Sequence, residues 1–279
     1  MMSFFLSPLL LRLVVGLVLS VAIGIAGYRR GALTGGGALG AVMTGTMVIG
    51  LGGWVWAALL IAFFVSSSVL SFYRAHEKEE LAEKFAKGHR RDLVQTLANG
   101  GIPAVLAMLS QVWPDDMWFF AAVGAMAAVN ADTWATELGV LSRRKPRLII
   151  SGRTVDVGTS GGVTWLGEAA SLGGAIFIGI LGGVGSLIAG RDLAWSAAVV
   201  GAATLGGMVG SAGDSLLGAT LQAIYWCDAC QKETETPMHR CGTRTYPIRG
   251  SSWLDNDMVN ALASAAGALA AAIAGYGLT

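Results

Sequence analysis

Apolar runs separated by short polar or basic loops account for nearly the whole chain. The first extends from Phe4 to Gly27, and others cover roughly 36–50, 53–72, 92–110, 116–139, 163–189, 193–223 and 257–277. About 20 helical residues at 1.5 Å each cross a hydrocarbon layer of about 30 Å. Only 36–50 falls clearly short, and it is expected to be tilted, irregular or re-entrant. The first run lacks the basic leader of a secretory signal and is followed by Ala-rich apolar segments, so it reads as a spanning helix. The pattern predicts an all-α fold, a polytopic transmembrane helix bundle with about eight membrane segments, forming a single integral membrane domain over 1–279.

Composition agrees with that picture. Hydrophobic residues make up 54% of the chain and charged residues 13%, against roughly 25% charged in soluble domains; mean hydropathy is +0.60. Gly is abundant at 40 residues but has no G-x-y period, and Pro numbers only 6. These values exclude collagen and flexible linker, and fit helices packed closely through small residues. Such glycine faces, at Gly179 to Gly183 and Gly206 to Gly210, suit packing within one chain or within a homo-oligomer.

A net charge of +1 gives no nucleic-acid signal, so the expected partner is membrane lipid. The charges are sorted instead. With the N-terminus outside, the loops 28–35, 73–91, 140–162 and 224–256 share one side and hold 17 of the 19 Lys and Arg residues. Arg12 and Arg191 alone remain for the other side. By the positive-inside rule this predicts a bacterial cytoplasmic (inner) membrane protein with both termini outside. Seven segments would put at least one basic loop on the wrong face. The stretch 73–91 reads as a charged or amphipathic cytoplasmic linker, with His76 and His89 at its surface and Phe72, Leu81 and Phe85 toward the membrane surface.

Carboxylates inside apolar segments carry the chemical signal. Asp132, Glu137, Glu168 and Asp214 lie in such stretches, and Asp257 opens the last one. Hydrocarbon is so hostile to a carboxylate that these residues are expected to face a bundle interior or a water-filled site. The topology places all five in the cytoplasmic half, with Asp132 about 10 Å from its helix end at 1.5 Å per residue. Asn130 and Glu137, seven apart, share a helix face. Asp132 and Glu137, five apart, are about 140° out of phase at 100° per residue. One metal held by both therefore requires a local distortion, or each works with a different neighbouring helix. Ser211, Ser215, Gly218 and Gln222 form a small polar stripe around Asp214, and Asn256 and Asn260 stand one turn apart in the last helix. Interhelical hydrogen bonding is the competing role for all these groups. The echo between Asn130-Ala131-Asp132-Thr133 and Ala212-Gly213-Asp214-Ser215 suggests equal depths for the two aspartates, though four residues are too few to establish a repeat.

Two loops add candidate sites. The loop 140–162 joins Arg143, Arg144, Lys145, Arg147 and Arg153 to the run Gly158, Thr159, Ser160, Gly161 and Gly162, which leads into a helix. Backbone N–H groups in a glycine-rich turn before a helix N-terminus make a phosphate cradle, and an ordinary cap and turn is the competing reading. No G-x-x-x-x-G-K-[ST] motif is present. The loop 224–256 holds all three cysteines in a C-x2-C-x8-H-x-C arrangement of Cys227, Cys230, His239 and Cys241. Three thiolates and an imidazole suit structural Zn2+, and on a cytoplasmic face disulfides are uncommon. A short Cys/His hairpin is therefore expected there.

Taken in order, VNADTWATELG (129–139), VGTSGGVTWLG (157–167), GSAGDSLLGATLQ (210–222) and DNDMVN (255–260) resemble the integral membrane family containing plant phytyl-phosphate kinase and animal transmembrane protein 19. The resemblance runs over most of the chain and is strongest from 120 to 262; the Cys/His segment looks like a feature of bacterial members. It implies transfer of a phosphoryl group from a nucleoside triphosphate to an isoprenoid monophosphate such as phytyl or geranylgeranyl phosphate. Distant similarity to membrane CTP-dependent polyprenol kinases and cytidylyltransferases makes CTP the favoured donor, with ATP open.

That chemistry joins two phosphorylated reactants and needs their charge compensated, most simply by Mg2+ on carboxylates together with Arg and Lys contacts. Asp132, Glu137 and Asp214 are the leading Mg2+ candidates. Lys145, Arg147 and Arg153 are candidates for clamping phosphates, and Gly158 to Gly162 for binding them through the backbone. Asn130, Glu168, Ser211, Ser215, Gln222, Asp257 and Asn260 are candidates for orienting phosphates or water. The alternatives are a prenol kinase or cytidylyltransferase, where a neutral acceptor would need a carboxylate as general base, and a transporter for an anionic or cation-coupled solute. The lack of carboxylates in the outer halves of the segments favours the enzyme.

Overall fold

Helix α1 (Pro8–Arg29) buries Gly16, Ser20, Gly24 and Gly27 and exposes Leu11, Val14 and Val18. This is the reverse of a soluble amphipathic helix: lipid takes the large apolar side chains, and small residues let the next helix approach. The structure, a computed structural model, describes residues 8–75, 78, 90–239 and 241–278. Following α1 come α2 (Gly35–Met47), a π-helical turn (Val48–Gly52), α3 (Trp54–Phe72), α4 (Leu93–Val112), α5 (Met117–Gly139), α6 (Trp165–Ile188), α7 (Leu193–Thr220) and α8 (Asn256–Leu278). Polar side chains mark where helices start. Thr34, Thr164 and Asp192 each accept a backbone N–H of the first turn, and Asp92 forms a capping box with Gln95.

The short run near 36–50 is continued by the π-helical turn to give Gly35–Gly52, 18 residues in all. At 1.5 Å per residue that is about 27 Å, close to a full crossing. Carbonyls at its irregular end are taken up by Arg12, which donates to Gly50 O at 3.1 Å and Leu51 O at 2.6 Å, and by Gln111, which donates to Leu51 O at 3.0 Å.

Among the described residues seven helices are long and apolar enough to cross a membrane. Helix α5 is the eighth long one, and it differs in kind. Every residue from Phe120 to Ala131 is buried, because α3, α4, α6, α7 and α8 all pack around it. A helix screened from lipid on all sides can carry Asn130 and Asp132. Its contact with α7 and α8 depends on missing side chains: a Cβ on Gly124 would collide with the Gly267 carbonyl of α8, and one on Gly210 of α7 with Ala128. Gly179 and Gly183 likewise press against Val200 and Ser196 of α7, so these glycine faces are used within the chain.

Among the described residues the strands fall in two loops. Strands β1 (Arg147–Leu148) and β2 (Gly162–Val163) pair antiparallel between α5 and α6. Between α7 and α8, β3 (Ile224–Cys227), β4 (Lys232–Thr234) and β5 (Tyr246–Arg249) form a sheet in the order β4-β3-β5. Of the stretch 73–91, residues 76, 77 and 79–89 lie outside the described ones, His76, Leu81, Phe85 and His89 among them.

Candidate functional site

Helices α5 and α7 end, and α6 and α8 begin, around a cavity of about 130 Å³. Its wall brings together the run Gly158 to Gly162 with Thr164, Glu168, Asp214, Ser215, Gln222, Glu235 and Asn256, contributed by two loops and three helices. Two helix N-termini open onto it, so unpaired backbone donors and positive dipole ends are concentrated there. Thr164 caps α6 by accepting the Gly167 N–H at 3.0 Å and also donates to Gly139 O at 3.4 Å, which joins the ends of α5 and α6.

The glycine-rich run is folded back on itself. Thr159 N donates to Asp156 O, Gly162 N to Thr159 O, and Ile149 N to Gly161 O. Gly161 has φ of +77°, a conformation that suits only glycine well, and a Cβ there would strike Ala219 at the end of α7. Glycine is thus required both by the backbone turn and by the approach of the loop to α7.

Asp214 lies at the centre of the acidic wall. Its Oδ2 is buried without a hydrogen-bond partner among the described residues, and Asp132 and Glu235 lie within electrostatic reach. Asp214 and Glu235 line the cavity, while Asp132 acts on Asp214 from outside its lining; like-charged groups this close, one with a bare oxygen, form an arrangement that a cation neutralises. Glu235, just beyond β4, accepts from Ser160 Oγ at 2.7 Å and from Gln222 Nε2 at 2.9 Å. It is absent from the candidates drawn from sequence, where nothing in Lys232-Glu233-Thr234-Glu235 distinguishes one glutamate from the other. Arg249 is a second addition: its guanidinium donates to Gly218 O at 2.8 Å, and its buried Nε has no partner among the described residues.

Other candidates are held elsewhere. Glu137 faces α3, accepting from Ser71 Oγ at 2.5 Å and pairing with the buried Lys78 Nζ at 2.6 Å. Asn130 accepts from Ser66 Oγ at 3.0 Å and donates to Gly174 O at 2.9 Å, tying α5 to α3 and α6. The phase difference along α5 thus sends Asp132 and Glu137 to different neighbours. Lys145 pairs with Asp156 at 3.4 Å on the surface, Arg147 donates to Gly152 O at 3.2 Å, and Arg153 is exposed. Ser211 and Asp257 are buried and Asn260 half-buried.

The Cys/His segment forms a metal-capable cluster. Ligand atoms of Cys227, Cys230, His239 and Cys241 all lie within 4.8 Å of one another. Cys227 Sγ and Cys241 Sγ are 3.7 Å apart. That is far too long for a disulfide, and it matches the edge of a tetrahedron whose Zn–S bonds are about 2.3 Å. His239 Nδ1 sits 3.2 Å from Cys241 Sγ. Hydrogen bonding with Thr243 and His239 pulls the Cys241 thiol down to about 6. The hydrogen bond to Cys241, together with burial, pushes Cys230 up to about 11. The donor set fits zinc, which would tie the end of β3 to the turn beyond β4.

A family model described as integral membrane protein DUF92 matches residues 18–268. Protein PGR of Arabidopsis thaliana is 32% identical over 267 residues, covering 89% of this chain and 91% of its own length. An uncharacterized membrane protein of Methanocaldococcus jannaschii, MJ0933, is 30% identical over 213 residues, covering 76% of this chain and 84% of its own. No solved structure matches. The cavity, the metal hairpin and six of the eight long helices lie wholly inside the matched span, α1 and α8 being cut only at their outer ends, and the chain belongs to this DUF92 family of multi-pass integral membrane proteins.

Proposed function

We propose that this protein is a membrane prenyl-monophosphate kinase, passing a phosphoryl group from a nucleoside triphosphate, with CTP favoured, to phytyl or geranylgeranyl monophosphate. The observation that carries the reading is the cavity in which a glycine-rich turn, two helix N-termini and Asp214, whose Oδ2 has no hydrogen-bond partner among the described residues, meet at one end of the bundle. Backbone donors suit phosphate and carboxylates suit a divalent cation, so one pocket offers what two phosphorylated reactants require. A substrate with a hydrocarbon tail and an anionic head matches a site placed where membrane helices reach their loops.

In this reading an oxygen of the prenyl phosphate attacks the γ-phosphorus of the nucleotide. The bond from that phosphorus to the β,γ-bridging oxygen breaks, giving prenyl diphosphate and nucleoside diphosphate. The acceptor is already an anion, so no general base is needed. Asp132 and Asp214 would hold Mg2+, which supplies neutralisation of the charge on the transferring group. The turn from Gly158 to Gly162 would cradle phosphate oxygens through N–H groups other than those of Thr159 and Gly162, which carbonyls of the same loop take up. Glu168, Ser215, Gln222 and Asn256 would orient phosphates and water, with Lys145, Arg147 and Arg153 available from the exposed loop as the nucleotide enters.

The test is to supply purified protein with geranylgeranyl or phytyl monophosphate, Mg2+ and each nucleoside triphosphate in turn, and to read product mass. The proposal expects the prenyl diphosphate and a nucleoside diphosphate in equal amounts. A cytidylylated product would assign nucleotidyl transfer instead. No turnover with any triphosphate, from protein that retains its bundle and zinc, would overturn the reading.

A further inference from the structure

Glu235 connects two features that are far apart in sequence. Its carboxylate binds Ser160 of the glycine-rich turn and the buried Gln222 at the end of α7, while its backbone lies four residues before the metal-ligating His239. The carrier is small: β3, β4 and β5 contribute four, three and four residues, and β5 is largely exposed. A sheet of that size is marginal by itself. Its far side is laced by hydrogen bonds that run through the metal cluster. Thr245 Oγ1 donates to Thr236 O, Thr245 N to Pro237 O, and His239 N to Thr243 O. The backbone that presents Glu235 is therefore clamped to the segment carrying Cys241. Holding Glu235 beside Asp214 also works against like-charge repulsion, so the hairpin must be rigid to keep it there.

We propose that Glu235 is a positioning residue through which metal bound at Cys227, Cys230, His239 and Cys241 fixes the glycine-rich turn as the wall of the cavity. The metal acts on the turn through the Ser160 and Gln222 hydrogen bonds and touches no substrate. The inference does not rest on the phosphoryl-transfer reading, and its test uses no substrate.

Hydrogen–deuterium exchange of residues 157–163 would be measured on zinc-loaded full-length protein, with residues 120–129 of α5 as an internal control for global unfolding. Glu235→Ala is expected to keep one zinc per chain and to speed exchange of the turn roughly tenfold, the scale of losing hydrogen bonds to a charged group. Glu235→Gln is expected to restore slow exchange, because an amide oxygen accepts both hydrogen bonds. Stripping zinc with a chelator, or replacing Cys230 by Ser, is expected to reproduce the Ala effect while the α5 control stays slow. Unchanged exchange of the turn in Glu235→Ala or after zinc removal would overturn the proposal, as would exchange in Glu235→Gln as fast as in the Ala variant. Should Cys230→Ser fail to fold, chelation of the wild-type protein gives the same reading.

Discussion

Asp214 and Glu137 are both acidic residues in membrane helices, yet their surroundings assign them opposite roles. Asp214 has a buried oxygen with no partner among the described residues and two carboxylates nearby, so removing its charge relieves repulsion. Asp214→Asn is expected to lower phosphoryl transfer on the order of 100-fold or more, the scale of losing a metal ligand. The same variant should melt no lower than wild type without divalent cations; turnover at the wild-type rate would remove Asp214 from the proposed cation site. Glu137 instead neutralises Lys78, whose side chain is 5% exposed. Glu137→Ala leaves that ammonium buried and should cost about 3–5 kcal/mol of stability, read as a lowered melting temperature. The acidic positions themselves are legible in sequence, because charge inside an apolar run is conspicuous. Their partners are not: Lys78 and Glu235 sit in polar loops where charge is ordinary, and only the tertiary structure brings them against Glu137 and Asp214.

Helix boundaries follow from where apolar runs stop and capping side chains begin, and these are local properties that the chain displays openly. The central place of α5 is different, since it is set by which helices share small-residue faces and not by any feature of its own run. The glycine-rich turn joins both kinds of information. Gly161 has positive φ and lies against Ala219, so Gly161→Ala adds about 1–2 kcal/mol of backbone strain to a steric clash. The expected result is displacement of the turn, with faster exchange at 157–163 and weakened nucleotide binding, while α5 amides stay protected. In the hairpin, thiolates are the ligands, so protons compete with metal. Cys241, drawn down to about 6, is a ready thiolate at neutrality, whereas Cys230, pushed up to about 11, must give up a proton as metal enters. Zinc affinity should therefore rise with pH, by about tenfold per unit for each proton displaced, and fall more steeply as pH drops through about 6. Competition with a chromophoric chelator from pH 5.5 to 8.5 checks this, and a flat profile would speak against thiolate ligation.

At the scale of the whole molecule, polar chemistry gathers at one end of the bundle and little of it at the other. The ends of α5 and α7 and the starts of α6 and α8 carry the cavity and the metal hairpin, and among the described residues every Lys and Arg other than Arg12 and Arg191 belongs to that side. The opposite end has Arg12, tied to carbonyls of the π-helical turn, and Arg191, paired with Asp116 and lying over the Trp195 ring. Both of these cations are engaged by the fold. Basic side chains resist translocation, so the crowded end should be cytoplasmic and eight crossings should leave both termini on the other side. Nucleotide is a cytoplasmic solute, so the same orientation is required if the cavity takes a nucleoside triphosphate. A C-terminal alkaline phosphatase fusion in a bacterial host should then be enzymatically active, and a fusion placed in the loop 224–256 inactive. A C-terminal fluorescent protein that folds only in the cytoplasm should stay dark. The reverse pattern would turn the cavity away from its proposed nucleotide and leave transport of an external solute as the better account of the same acidic pocket.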